Sequence, residues 1–340
     1  MQNIISRKIS HRTVLMSLIA IGLAGAMTVG ATNTAVAQST SWPGKKPVTI
    51  VSVFPPGGSV DQVARLLAER LSKSTGGQFI VENKGGASGS IGTAAVAKST
   101  PDGHTLAVVF DTHSVNPSLI PSLPFDTIKD LAPITLIGTG SMVVTAHPSA
   151  PYKDFKQLLD SVKAKPDSVS YGSIGTGSLG HLAMVQMGSS LGIRWTHVPY
   201  KGGGPLKTDA LAGHVPIAIG SVFLLSPNVQ AGQLRALAVT SLKPDPQMPG
   251  VATVAEQGLK GFEAYSWWGV FGPAGIPRPI IDKIHSEIAK VLRDPEAAAK
   301  LKEQGMEVLA GGPAELDKFN RSQIERWGRV VRENKIEAGS

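Results

Sequence analysis

Val48-Thr49-Ile50-Val51-Ser52-Val53 runs without a break into Phe54-Pro55-Pro56-Gly57-Gly58-Ser59-Val60-Asp61, and this junction decides the fold. The first six residues are mostly β-branched and read as a strand, which the prolines and glycines then stop. From Val60 onward the apolar residues Val60, Val63, Ala64, Leu67 and Leu71 recur at helical spacing, until Gly76-Gly77 ends the pattern. Phe79-Ile80-Val81 then reads as a second strand, residues 90–98 as a helix and 105–110 as a third strand. Strand, helix and strand in this alternation predict a parallel sheet with helices on its faces.

The middle of the chain repeats the theme. Helices are predicted over 155–165 and 178–191, and strands over 169–173, 195–199 and 215–221. Pro277 opens a helix at its first turn, where a missing N–H costs nothing, and 296–304 and 315–335 complete a helical tail. Two stretches, 134–146 and 234–241, are long and extended, and both read as strands crossing between lobes. Two crossings assign 38–142 and 239–340 to a first lobe and 143–238 to a second. A ligand would lie in the cleft where the strand C-termini of the two lobes meet.

The N-terminus sets the compartment. Arg7, Lys8, His11 and Arg12 form a basic segment, residues 14–30 are small or apolar without charge, and Ala35-Val36-Ala37 precedes Gln38 as an A-x-A cleavage site. A membrane anchor would need a longer apolar run, uninterrupted by glycine and threonine. The expectation is a signal peptide cleaved after Ala37 and a protein free in the periplasm. The chain has no cysteine, which excludes disulfides, a cysteine nucleophile, thiolate metal sites and a lipidated N-terminal cysteine. Of the formal net charge of +8, Arg7, Lys8 and Arg12 leave with the signal. No basic run or aromatic-basic interleaving remains, so nucleic acid is not an expected partner.

The binding chemistry is expected in glycine- and serine-rich loops between a strand and a helix. At Gly57-Gly58-Ser59, Ser59 is a candidate N-cap and Asp61 an acid complementing the helix N-terminus. Gly85-Gly86-Ala87-Ser88-Gly89-Ser90 follows the second strand, and Tyr171-Gly172-Ser173-Ile174-Gly175-Thr176-Gly177-Ser178 follows a strand of the middle lobe. Three such loops can direct N–H groups and hydroxyls at one anion without an arginine.

With these segments in view, the chain resembles the TctC/Bug family, the extracytoplasmic receptors of tripartite tricarboxylate transport systems. The likeness rests on Pro55 to Asp61 with Ala64-Arg65, on Val81-Glu82-Asn83 through Gly92, and on Pro101-Asp102-Gly103-His104-Thr105-Leu106. It continues in Asn116-Pro117-Ser118-Leu119, Leu123-Pro124-Phe125-Asp126, His197-Val198-Pro199-Tyr200-Lys201-Gly202 and Leu234-Arg235-Ala236-Leu237-Ala238-Val239-Thr240-Ser241. The resemblance implies a type II periplasmic-binding-protein fold, with two α/β lobes closing on the ligand. By position it implies ligand contacts at Phe54, Gly58, Ser59, Ala87, Ser88, Thr112 and His113 in the first lobe. In the second it implies Ser173, Gly175, Thr176, Ser178, Tyr200, Lys201 and Ser221. The implied ligand is a small organic carboxylate (di-, tri- or aromatic), and the implied partners are the membrane subunits of the transporter. A monomer without cofactor or metal is expected.

Two departures bear on the ligand. Gly220-Ser221-Val222 is neutral where some relatives carry an aspartate suited to an ammonium group, which argues against an amino acid. Asp111 stands where a small neutral residue is expected; it either meets a ligand cation or hydroxyl or pairs with His113, the reading favoured here. Two other functions remain open: a ligand sensor feeding a signalling partner, and a serine hydrolase. The hydrolase lacks support, because the chain has no G-x-S-x-G, H-E-x-x-H or P-loop motif and its histidines are scattered. The protein is therefore not expected to be an enzyme.

Overall fold

The computed structural model describes residues 42–337, so the expected signal peptide lies outside the described residues. β1 (Val48–Ser52) is buried apart from the half-covered Thr49 and forms the centre of a parallel trio. β2 (Phe79–Asn83) and β3 (Thr105–Phe110) flank it. The crossover helices are α1 (Ser59–Thr75) and α2 (Ser90–Ala97), the latter entered through a 3-10 turn at Ala87–Gly89. α1 runs a turn beyond the expected Leu71. Gly76 ends it in the left-handed conformation, at φ 71°, and returns its N–H to the Ser72 carbonyl.

α3 (Thr112–Leu119) leads toward β4 (Leu131–Ala146), the strand that organises the molecule. Its 16 residues, at ~3.3 Å each, span about 50 Å. The second sheet supplies α4 (Phe155–Ala164), β5 (Ser170–Ser173), α5 (Leu179–Leu191), β6 (Thr196–Pro199) and α6 (Gly203–Ala212). β7 (Ile217–Ser221), α7 (Val222–Gln230) and β8 (Arg235–Val239) complete it. β9 (Tyr265–Pro273), α8 (Arg278–Arg293), α9 (Pro295–Glu303), β10 (Glu307–Gly311) and α10 (Pro313–Glu333) follow. β4 pairs antiparallel with β9 and β10 along its first part and with β7 and β8 from Met142 onward. One strand thus belongs to two sheets, and the result is two α/β lobes joined across a cleft.

The second connection is built differently from the expected crossing strand at 234–241. β8 pairs only with the distal part of β4 and stops at Val239. The chain then turns through 240–264 before β9 enters the first sheet. Thr240, fully buried, holds this junction together. Its N–H donates to the Met142 carbonyl at 2.9 Å, and its hydroxyl accepts the Met142 N–H at 2.9 Å and donates to the Ala264 carbonyl at 2.6 Å. One side chain therefore ties the point where β4 changes sheets to the segment leading into β9.

Elements without a clean sequence signal account for most of the differences. α3 and α7 carry internal prolines, Pro117 and Pro227, and α6 opens on Gly203-Gly204-Pro205. β9 contains adjacent Trp267 and Trp268, both fully buried, because covered faces on both sides of the strand remove the usual alternation. Two apolar clusters underlie the lobes. The larger extends from β1 and β3 across the cleft to Leu206 and Leu224. The smaller lies around α4 and α5 and takes in Trp327, Val330 and Val331, so α10 begins against one lobe and ends against the other.

Candidate functional site

Three helix N-termini meet at the cleft. α1 begins after Gly58, α6 after Gly202 and α7 after Ser221, each directly after a loop at the C-terminal end of a strand or beside one. The first N–H groups of a helix have no intrahelical acceptor, and the helix dipole makes the same spot electropositive. A cavity between the lobes is lined by Gly58, Ser59 and Val60 of α1, Gly203 of α6, and Gly220, Ser221 and Leu224 around the start of α7. Phe54, Phe110, Met142 and Ile174 form its apolar walls. None of these residues is charged, so an anion here would be held by backbone donors and hydroxyls.

The lobes are closed in this conformation. The cavity measures only about 10 Å³, the room of roughly one water molecule. The glycines make that approach possible. A Cβ on Gly204 would lie 2.5 Å from the Pro56 carbonyl oxygen, and one on Gly203 would lie 3.4 Å from Gly58 Cα across the cleft. Anything larger than a water molecule fits only when the lobes separate at Gly58 and Gly203.

Ser59 enters α1 as its first helical residue instead of capping it; Gly58 occupies the cap, with no side-chain hydrogen bond. The Ser59 hydroxyl is therefore not committed to its own helix. Ser221 is a true cap, its Oγ accepting the Leu224 N–H at 3.3 Å. Asp61 is structural, as expected. It accepts from the Gly57 N–H, Asn83 and Arg65. Burial raises its pKa, but the Arg65, Gly57 and Asn83 contacts outweigh that and leave it below the usual carboxylate value.

The other predicted contacts fall outside the cavity. The Ser88 hydroxyl donates to the Thr176 carbonyl at 2.8 Å, so the second and third glycine-rich loops clasp each other across the cleft. Ala87 and Ser88 both hold left-handed backbone, at φ 44° and 52°, a strain that non-glycine residues rarely accept. Gly175 belongs to the same clasp, close to the Tyr200 carbonyl. Tyr200 itself lines an open outer groove with Pro55, Pro56 and Lys207, and Lys201 is exposed. Burial, with Asp209 nearby, lifts the Tyr200 hydroxyl to about 12.

Ser173 and Ser178 lie behind the clasp. Ser173 is fully buried, 2.7 Å from His197 Nε2, and receives the Ser178 hydroxyl at 3.2 Å. His181 stacks on His197 with ring centroids 4.0 Å apart and accepts the Gly177 N–H at 3.1 Å. Burial holds the two imidazoles neutral, at about 4 for His181 and about 3 for His197, where the neighbouring His181 adds to the effect. The Ser–His contact has the composition of a nucleophilic pair, but its hydroxyl is sealed from the cavity and saturated by neighbours.

The favoured pairing of Asp111 with His113 does not form. His113 turns into an aromatic nest of Phe125, Phe271 and Trp267, and neither ring nitrogen has a hydrogen-bond partner among the described residues. Thr112 is buried beside it. Asp111, 1 % exposed, reaches the other lobe, where Oδ1 accepts the Leu179 N–H at 3.4 Å from the start of α5. Oδ2 has no partner. Burial pushes this carboxyl up to about 7, against the smaller opposing pull of the Leu179 N–H.

Sequence reading missed the Gly202-Gly203-Gly204 contribution. Its signal is the same glycine-rich strand-to-helix pattern as at Gly57-Gly58-Ser59, here following Tyr200-Lys201. Taken together, two lobes, a double crossover and a neutral cavity at converging helix N-termini define a two-lobed ligand-binding protein. Residues 63–336 match the family described as the tripartite tricarboxylate transporter family receptor, and the chain belongs to that family.

Solved structures agree. The periplasmic binding protein BugD is 33 % identical, with a TM-score of 0.83 over 88 % of this chain and 100 % of its own. Rpa4515 of R. palustris, solved with adipate, is 32 % identical, with a TM-score of 0.84 over 88 % and 100 %. MatC of Rhodopseudomonas palustris, solved with malate, is 30 % identical, with a TM-score of 0.80 over 85 % and 100 %. No helix among the described residues is long and apolar enough to cross a membrane.

Proposed function

We propose that this chain is a periplasmic solute receptor that closes its lobes on a small organic carboxylate and delivers it to the membrane subunits of a tripartite tricarboxylate transporter. The observation that carries the reading is the convergence of three helix N-termini on a cleft cavity without charged side chains. The ligands of Rpa4515 and MatC, adipate and malate, support a carboxylate of similar size. Residues 1–37 would direct export and be removed during it, and the receptor would act as a monomer. The lobes are assigned as 38–142 with 239–340, and 143–238. Phe54, Gly58, Ser59 and Ser221 would touch the ligand directly, while Ser88 and Thr176 would latch the closed state. The protein acts as a binder and not as a catalyst, in keeping with a Ser173 hydroxyl sealed from the cavity.

The test is a thermal-shift screen of di-, tri- and aromatic carboxylates, followed by titration of the best acid and its methyl ester. A ligand at 100 times its Kd stabilises the native state by about 2.7 kcal/mol. The acid is expected to bind far more tightly than the ester, because donors arranged for an anion meet a poorer acceptor in the ester. Equal affinity for the two would remove the basis of the proposal.

A further inference from the structure

A concavity of small-molecule size lies at the hinge, away from the cleft. It encloses about 490 Å³, within the range of small-molecule sites. Both inter-lobe connections contribute to it: β4 through Ser141, and the turn after β8 through residues 241–247, with β9, α9 and the start of β10 closing the rest. Its walls are mainly apolar, formed by Pro244, Pro246, Met306 and the ring of Tyr265. The Tyr265 hydroxyl is already engaged, accepting the Leu242 N–H at 3.1 Å.

Three polar groups in the pocket lack partners among the described residues. Ser241 is 7 % exposed, and its hydroxyl has no hydrogen-bond partner. A buried hydroxyl left unpaired is costly and is normally satisfied by something. Lys243 and Lys302 are exposed pocket residues, and among the described residues neither has an acid within ion-pair distance. Two acids, Asp245 and Glu307, share the pocket lining, neither within ion-pair distance of these lysines. Asp245 accepts the Ser141 hydroxyl and the Gln247 N–H, the latter at 2.8 Å, and Glu307 is exposed on β10.

We propose that this hinge pocket is a second ligand site, selective for a small organic anion with an apolar body, such as an aromatic monocarboxylate. Met306, Pro244, Pro246 and the Tyr265 ring cover the apolar body, Lys243 and Lys302 attract the carboxylate, and the Ser241 hydroxyl donates to it. The site is separate from the cleft, and its existence does not depend on what the cleft binds.

Two methionines make the test direct, because Met306 lines the hinge pocket and Met142 lines the cleft cavity. The protein is labelled with methyl-13C methionine and titrated with benzoate, with benzylamine as the probe of opposite charge. The Met306 methyl signal is expected to shift saturably with benzoate and to remain in place with benzylamine. The surface double variant K243E/K302E is expected to weaken the benzoate titration at Met306 at least tenfold, and Ser241→Ala several-fold. A shift confined to Met142, a Met306 titration unchanged in K243E/K302E, or tighter binding of benzylamine than benzoate would each overturn the assignment.

Discussion

Asp111→Asn tests how the buried carboxyl between the lobes is tolerated. In the native protein burial lifts this acid from 3.8 to about 7. The folded state therefore holds a proton across that window that the unfolded chain has already released. Stability from this group is complete below the unfolded value and is lost as pH rises through about 7. A shift of roughly three units corresponds to about 4 kcal/mol at ~1.36 kcal/mol per unit. The asparagine variant keeps an oxygen for the Leu179 N–H but cannot ionise. Its amide nitrogen adds a pH-independent offset, because the Asp111 Oδ2 position it takes has no hydrogen-bond partner among the described residues. Urea unfolding of both proteins at pH 4.5, 5.5, 6.5 and 8 isolates the pH-dependent part. Because the unfolded acid is already largely ionised at pH 4.5, the variant is expected to gain on the native protein by about 3 kcal/mol between the extremes of that range. A stability difference that stays flat with pH would refute the reasoning, since Asp111 would then be ionised or hydrated equally in both states.

Gly204→Ala places a methyl 2.5 Å from the Pro56 carbonyl only when the lobes are shut; the fold should hold, helped by up to about 1 kcal/mol of helix propensity, while calorimetry shows carboxylate affinity at least tenfold weaker. His113→Phe replaces an imidazole that burial holds at about 3. The native protein loses stability from this histidine as pH falls below 6.5, so the variant should gain about 2 kcal/mol at pH 5 relative to pH 8, and equal denaturation midpoint differences at both pH values would contradict this. Ser59→Ala is expected to cost about 1 to 3 kcal/mol of carboxylate binding with unchanged melting of the free protein, whereas Ser173→Ala should lower the melting temperature, because its hydroxyl bridges His197 and Ser178. Small-angle scattering with saturating carboxylate should report compact particles for the native protein and a larger radius of gyration for Gly204→Ala; identical curves would show that closure does not involve the Gly204 contact.

The sequence by itself determined the alternation of strands and helices, the two-lobed class and the glycine- and serine-rich turn at 57–59 that lines the cleft cavity. It could do so because β-branched runs, helical spacing and glycine stops are local signals that depend on neighbours a few residues apart. Asp61 was legible for the same reason, its partners Gly57 and Arg65 lying one turn away. Contacts between distant segments decided the rest. Whether Ser88 faces a ligand or the Thr176 carbonyl depends on how far the lobes close, and that is set by glycines facing each other at 57–58 and 203–204. Whether His113 meets Asp111 or an aromatic nest depends on β9, whose Trp267 and Phe271 come from the far end of the chain. The crossing at Thr240 likewise rests on three backbone groups from Met142 and Ala264, a junction that no stretch of neighbouring residues contains.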